Sequence, residues 1–136
     1  MTPEQISMVQ ESFKKVVPIA GTAADLFYDR LFEIAPDVRA MFPDDLREQK
    51  KKLIAMLATA VGNLHQVDRI IPAVETLARR HVGYGVKPEH YRPVGEALLW
   101  TLEQGLGADF TPPVKKAWTE TYVTLSGVMQ GAVAMA

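Results

Sequence analysis

The 136-residue chain contains no cysteine. That excludes disulfide frameworks, thiolate zinc sites, iron–sulfur clusters and cysteine nucleophiles. No apolar run approaches the ~18 residues that a bilayer-spanning helix needs, so no membrane segment is expected. The start, Met1-Thr2-Pro3-Glu4-Gln5, lacks a basic stretch followed by an apolar one, so it does not read as a secretory signal. An excess of one charge sign is also missing. Fifteen Lys and Arg face sixteen Asp and Glu, which leaves no global pull toward nucleic acid or acidic membrane. Basic and aromatic residues do not interleave as a nucleic-acid surface would require. There is no Gly-rich phosphate loop, no G-x-S-x-G and no H-E-x-x-H. Asn-Gly and Asp-Gly hairpin signals and sustained strand-like alternation are absent. What remains is ordinary globular composition, 48% hydrophobic and 23% charged, in a length that suits one domain over residues 1–136. A cytoplasmic location is expected.

The prolines stand where helices begin. Thr2-Pro3-Glu4-Gln5 is a capping box with proline at the first helical position, and Thr111-Pro112-Pro113 repeats the Thr-Pro start. Between these breaks the apolar residues keep helical spacing. Ile6, Val9, Phe13 and Val16 mark a first helix. Ala24, Tyr28, Leu31 and Ala35 mark a second over about 20–34, and a short turn then runs from Pro36 to Phe42. Leu46, Leu53, Met56, Leu57, Ala60 and Leu64 predict a helix over about 45–64. Ile70, Val74, Leu77 and Ala78 predict one over about 69–82, closed by Gly83 and Gly85. Tyr91, Val94, Leu98 and Leu102 lie on a helix from 88 to about 106. Val114, Trp118, Tyr122, Leu125 and Met129 lie on the last, from 112 to about 133. Six substantial helices and a short one make an all-α domain.

Polar residues on these apolar stripes need partners, since burying one without a hydrogen bond costs a few kcal/mol. His81 continues the stripe of Val74 and Leu77. It reads either as a core histidine bonded to a carbonyl or as a metal or haem ligand. Position alone favours the first. A bare zinc site is not expected, because His65 and His90 form no helical ligand pair with His81. Haem needs only one strong axial ligand from the protein. Gln49 falls between Leu46 and Leu53 and reads either as a boundary residue or as an inward donor. Tyr28 and Tyr91 are further polar positions, while Trp100 and Trp118 read as packing. Lys50-Lys51-Lys52 and Arg79-Arg80 read as solvated charge runs.

Three stretches, in this order, resemble the globin family. Phe27-Tyr28 through Ala40-Met41-Phe42 is similar to its B helix, C helix and CD corner. Leu77-Ala78-Arg79-Arg80-His81-Val82-Gly83-Tyr84-Gly85-Val86 and the following His90-Tyr91-Arg92-Pro93 are similar to the F helix, FG corner and start of G. Ala117-Trp118 through Tyr122 is similar to the H helix. Within globins the chain resembles single-domain bacterial haemoglobins, the haem domain of flavohaemoglobins, and neuroglobin. The resemblance runs from about residue 4 to about 130.

The resemblance implies a three-over-three helical sandwich around haem b. It implies His81 as the proximal iron ligand and Phe42 as the phenylalanine packed on the haem. Leu53, Leu77, Val86, Tyr91 and Val94 are implied as cofactor contacts, and Lys52 and Arg80 as partners of the propionates. On the distal side it implies Gln49, Tyr28 and Leu53. The implied function is reversible binding of O2, and of NO or CO, at pentacoordinate iron, for oxygen storage or delivery or for NO detoxification. Glutamine is a poor iron ligand, so a bis-histidyl haem is not expected.

An alternative is nitric oxide dioxygenase activity. It would use a separate electron-donating reductase, because the chain stops at Ala136 without a flavin domain. One departure weighs against it. The proximal glutamate of flavohaemoglobins falls near Val133, and no carboxylate follows Glu120. A haem-free regulatory module of globin shape is the third reading. No nucleic acid or membrane partner is implied, and the chain is expected to be a monomer or weak homodimer.

Overall fold

The computed structural model of the chain describes residues 2–42, 44–69, 72 and 91–135, with side chains to 66 and to 127 in the segments that end at 69 and 135. All regular structure among the described residues is helical. The expected helix over 69–82 lies outside them, except for Arg69 and Pro72.

Helix α1 spans Pro3–Val16. Its start is the capping box: the Thr2 hydroxyl accepts from the Gln5 amide at 3.1 Å, and the Gln5 side chain accepts from the Thr2 amide at 2.9 Å. The spacing of Ile6, Val9, Phe13 and Val16 buries one stripe. A 3-10 turn at Val17–Ile19, with proline inside it, leads into α2, Ala20–Ile34. Pro36 ends α2 by forcing Ala35 out of helical geometry, to φ −140° and ψ 71°. A second 3-10 segment, Pro36–Met41, then delivers Phe42.

Helix α3 is Arg47–Gly62. It is shorter than the predicted 45–64, because Leu64 is buried from a separate 3-10 segment, Leu64–Arg69. Helix α4, Tyr91–Leu106, stops at Gly107, whose φ of +55° suits the glycine that closes a helix. Helix α5 is Pro112–Met135.

Packing is led by α2 against α4, with α1 against α5, α3 bridging α2 and α1, and α4 against α5. Val9, Leu31, Ala97, Ala117 and Trp118 lie at the centre with almost no exposure. Trp118 does more than fill space. Its Nε1 donates to the Ser12 Oγ at 2.8 Å, and Ser12 in turn donates to the Met8 carbonyl at 2.7 Å, which joins α5 to α1. Buried Thr101 and Thr121 donate to carbonyls of their own helices at 2.8 and 2.9 Å. Among the described residues no buried side-chain polar atom lacks a partner. No described helix is long and apolar enough to cross a membrane.

Candidate functional site

Four aromatic rings meet where α2 faces the corner after Pro36. Tyr28 lies edge-on to Phe27 at 5.0 Å and to Phe42 at 5.6 Å between ring centroids, and tilted against Phe32 at 5.9 Å. Phe32 and Phe42 stand 5.5 Å apart. Tyr28 and Phe32 are one turn apart on α2, so a helix supplies one side of the cluster and the corner supplies Phe42.

Arg39 clasps that corner. Its guanidinium donates to the Phe42 carbonyl at 3.4 Å and the Asp44 carbonyl at 3.2 Å, and lies 5.1 Å above the Phe32 ring. Nothing in the apolar spacing singled Arg39 out. Its signal is a lone arginine inside a turn whose carbonyls no helix can satisfy.

Tyr28 is only 3% exposed. Burial pushes its phenol up to about 12, and the neighbouring Gln49 side chain on α3 partly offsets that. Gln49, expected either at a boundary or facing inward, is half-buried and reaches Tyr28 across the helix pair. Leu53, one turn further along α3, is half-buried against the core, as are Phe42 and Val94.

The start of α4 has its own joint. The Tyr122 hydroxyl on α5 donates to the Tyr91 carbonyl at 2.5 Å. A Cβ added at Gly95 would stand 2.7 Å from the Tyr122 ring, so only glycine admits this approach. Burial raises the phenols of both tyrosines. Spacing marked Tyr122 as an apolar-stripe residue and missed its role as a donor.

The remaining candidates divide. Lys52 and His65 are exposed. The charge run does not behave as one solvated face. Lys50 reaches Asp25 on α2 at 2.7 Å, while Lys51 pairs with Glu48 within its own helix at 3.7 Å. His81, Leu77, Arg80, Val86 and His90 lie outside the described residues. Among those described, no group of three His, Asp or Glu side chains could hold a metal ion.

The described helices form an all-α bundle with an aromatic corner after α2. The Globin family model matches residues 25–129. The chain belongs to the globin family. Within it, the chain is a bacterial globin-fold protein homologous to the globin part of flavohemoproteins. It is 33% identical to the flavohemoprotein of Bacillus subtilis over 129 residues, 89% of this chain and 32% of that one. It is 32% identical to the flavohemoprotein of Rhodopirellula baltica over 134 residues, 96% of this chain and 33% of that one. It thus spans about a third of the length of the curated relatives it matches. A solved bacterial globin from Campylobacter jejuni superposes with a TM-score of 0.82 at 28% identity, covering 98% of this chain and 97% of the other.

Proposed function

We propose that the protein binds haem b through His81 and uses it to bind O2 reversibly, with Tyr28 and Gln49 as the distal hydrogen-bond donors. The described half of the site suits that group. Phe42, Leu53 and Val94 are apolar yet only partly buried, which is the lining a flat apolar cofactor requires. Ferrous haem supplies an iron with an open axial position for a diatomic ligand.

The observation that carries the reading is the meeting of buried Tyr28 and half-buried Gln49 beside the partly buried Phe42 and Leu53. Both side chains carry hydrogen-bond donors next to that apolar lining, where a polar guest would find them. Tyr28 stays protonated at any ordinary pH, because its phenol is held near 12. That proton is one the phenol can donate to a ligand. Each donor should strengthen ligand retention by on the order of 1–2 kcal/mol, about tenfold in affinity. Lys52 and Arg80 would meet the propionates, and Leu77, Val86 and Tyr91 would complete the contacts.

Visible spectra of the ferric, dithionite-reduced and CO-saturated protein test the reading. A Soret band that shifts on reduction and again with CO supports it. The absence of a Soret band after haemin is added defeats it. Tyr28→Phe and Gln49→Leu should each speed O2 dissociation severalfold, and unchanged rates in both and in the double variant would remove the donor assignment.

Kinship with flavohemoproteins favours a second reading, nitric oxide dioxygenation with electrons from a flavin reductase partner. Sustained NO consumption with NADH and a reductase separates it from a single stoichiometric burst, which is all that simple O2 binding predicts.

A further inference from the structure

Helix α3 is anchored at one end. Its buried residues are Ala60 and Val61, in its last turn, and the Gln10 side chain of α1 donates to the Val61 carbonyl at 3.0 Å. At the opposite end the exposed Asp45 carboxylate accepts from the Arg47 amide at 3.0 Å, and the turns that carry Gln49 and Leu53 contain no fully buried residue. Partly buried Leu46 and Leu53 hold those turns on the core, and polar contacts to α2 add to them.

Two rungs cross from α2 to α3 there. One is the approach of the Gln49 side chain to the Tyr28 phenol. The other is the ion pair between Asp25 and Lys50 at 2.7 Å. Lys50 follows Gln49 in the chain, and Asp25 precedes Tyr28 by three residues, so both rungs join the same helical turns. The nearby charges are used locally: Arg47 pairs with Asp45 at 2.6 Å and Lys51 with Glu48 at 3.7 Å. The Lys50 side chain is 30% exposed, against 77% for Lys51, so it lies down across the helix pair. Asp25 and Lys50 also line a surface groove with Gly21, Arg47, Glu48 and Lys51, so solvent ions reach the pair.

We infer that the Asp25–Lys50 pair is a latch that holds the free end of α3 against α2 and so keeps Gln49 on Tyr28. This rests on the reading of Tyr28 and Gln49 as ligand donors. Asp25 and Lys50 are positioning residues, since they act through Gln49. Opening the latch lets the first turns of α3 move away from α2, which withdraws one donor. Ligand retention therefore becomes dependent on ionic strength.

The test uses the haem-loaded protein with Asp25→Asn, Lys50→Met and the charge-swapped pair Asp25→Lys with Lys50→Asp. At low salt the single variants should release O2 about 1.5- to fivefold faster, the range expected of a half-exposed pair. The swapped pair should recover the wild-type rate. Between about 0.01 and 1 M salt the screening length falls from ~30 to ~3 Å. Over that range the wild-type rate should rise to meet that of Asp25→Asn, which itself stays flat. The infrared C–O stretch of the CO-saturated protein should shift in Asp25→Asn as it does in Gln49→Leu, and combining the two should add nothing. Wild-type release and an unmoved stretch in Asp25→Asn and Lys50→Met, while Gln49→Leu still speeds release, would overturn the latch and leave the donor reading standing. If Gln49→Leu and Tyr28→Phe are also silent, both fall together.

Discussion

Replacing Gly95 by alanine isolates the contact between α4 and α5. In a helix interior this change ordinarily stabilises by ~0.5–1 kcal/mol, because alanine loses less backbone entropy on folding. Here the added Cβ would stand 2.7 Å from Cε2 of Tyr122, 3.0 Å from Cδ2 and 3.3 Å from Cζ. Ordinary carbon contacts begin near 3.5 Å, so the ring must retreat by ~0.8 Å. It is not free to do so, because its hydroxyl is bonded to the Tyr91 carbonyl at 2.5 Å. Overpacking of this kind costs ~1–3 kcal/mol, and weakening the hydroxyl bond adds up to ~1 more. Set against the helix gain, the net loss centres on ~2 kcal/mol.

Thermal and urea denaturation of the haem-free protein would show this as a fall in Tm of at least about 3 °C. Gly127→Ala is the control. Gly127 is exposed inside α5 with nothing within 4 Å of an added Cβ, so the same substitution there should stabilise by about 0.5–1 kcal/mol. Tyr122→Leu removes the ring that clashes, so the double variant should lose less than the sum of the singles. Gly95→Ala as stable as the wild type, with Gly127→Ala behaving as stated, would refute the close approach.

Stability should also fall as pH rises from about 10 toward 12. An unfolded tyrosine ionises near 10.0, whereas folded Tyr28 keeps its proton to about 12, so unfolding releases a proton in that window. Tyr28's contribution is complete below pH ~10 and is lost as pH climbs through the folded value. Denaturation midpoints of Tyr28→Phe should decline less steeply over that range. Ser12→Ala should cost about 1–3 kcal/mol in urea unfolding, because it leaves the Trp118 Nε1 buried without its acceptor. Thr2→Ala removes the α1 cap and should cost about 1 kcal/mol by the same assay. Arg39→Ala should loosen the corner that carries Phe42, read as weaker haemin retention during transfer to an apoglobin acceptor.

The helices were legible because their signals are local. Thr2-Pro3 and Thr111-Pro112 start helices by cap and proline chemistry that needs no tertiary partner. The stripes of α1 and α2 follow from 3.6-residue spacing. Ends were less legible where a 3-10 segment continues the apolar pattern. Leu64 keeps the α3 periodicity yet is buried from a different segment, since one buried leucine looks the same to a spacing rule whichever turn delivers it. The globin resemblance supplies what spacing cannot, an order of helices and an implied purpose for His81.

The site was legible to the extent that a residue's oddity shows within its own helix. Gln49 and Tyr28 are conspicuous as polar interruptions of apolar stripes, and the two side chains lie near each other. Lys50 was not conspicuous. In a run of three lysines nothing local separates it from Lys51 and Lys52, and only the approach of α2 does so, through Asp25. Tyr122 and Gly95 are the same case. A tyrosine on a stripe and a glycine in a helix are each unremarkable, and their joint meaning appears only when α4 and α5 cross. The unseen part of the site is thus the part made of pairs between helices, and those pairs set the positions of the residues that local chemistry could find. On the proposed reading, single substitutions at Tyr28 and Gln49 report the strength of the ligand's hydrogen bonds. Substitutions at Asp25, Lys50, Gly95 and Tyr122 report how firmly the helices are held against one another. The two sets should separate, because among these positions only Asp25 and Lys50 form an ion pair and only they should make ligand retention respond to salt.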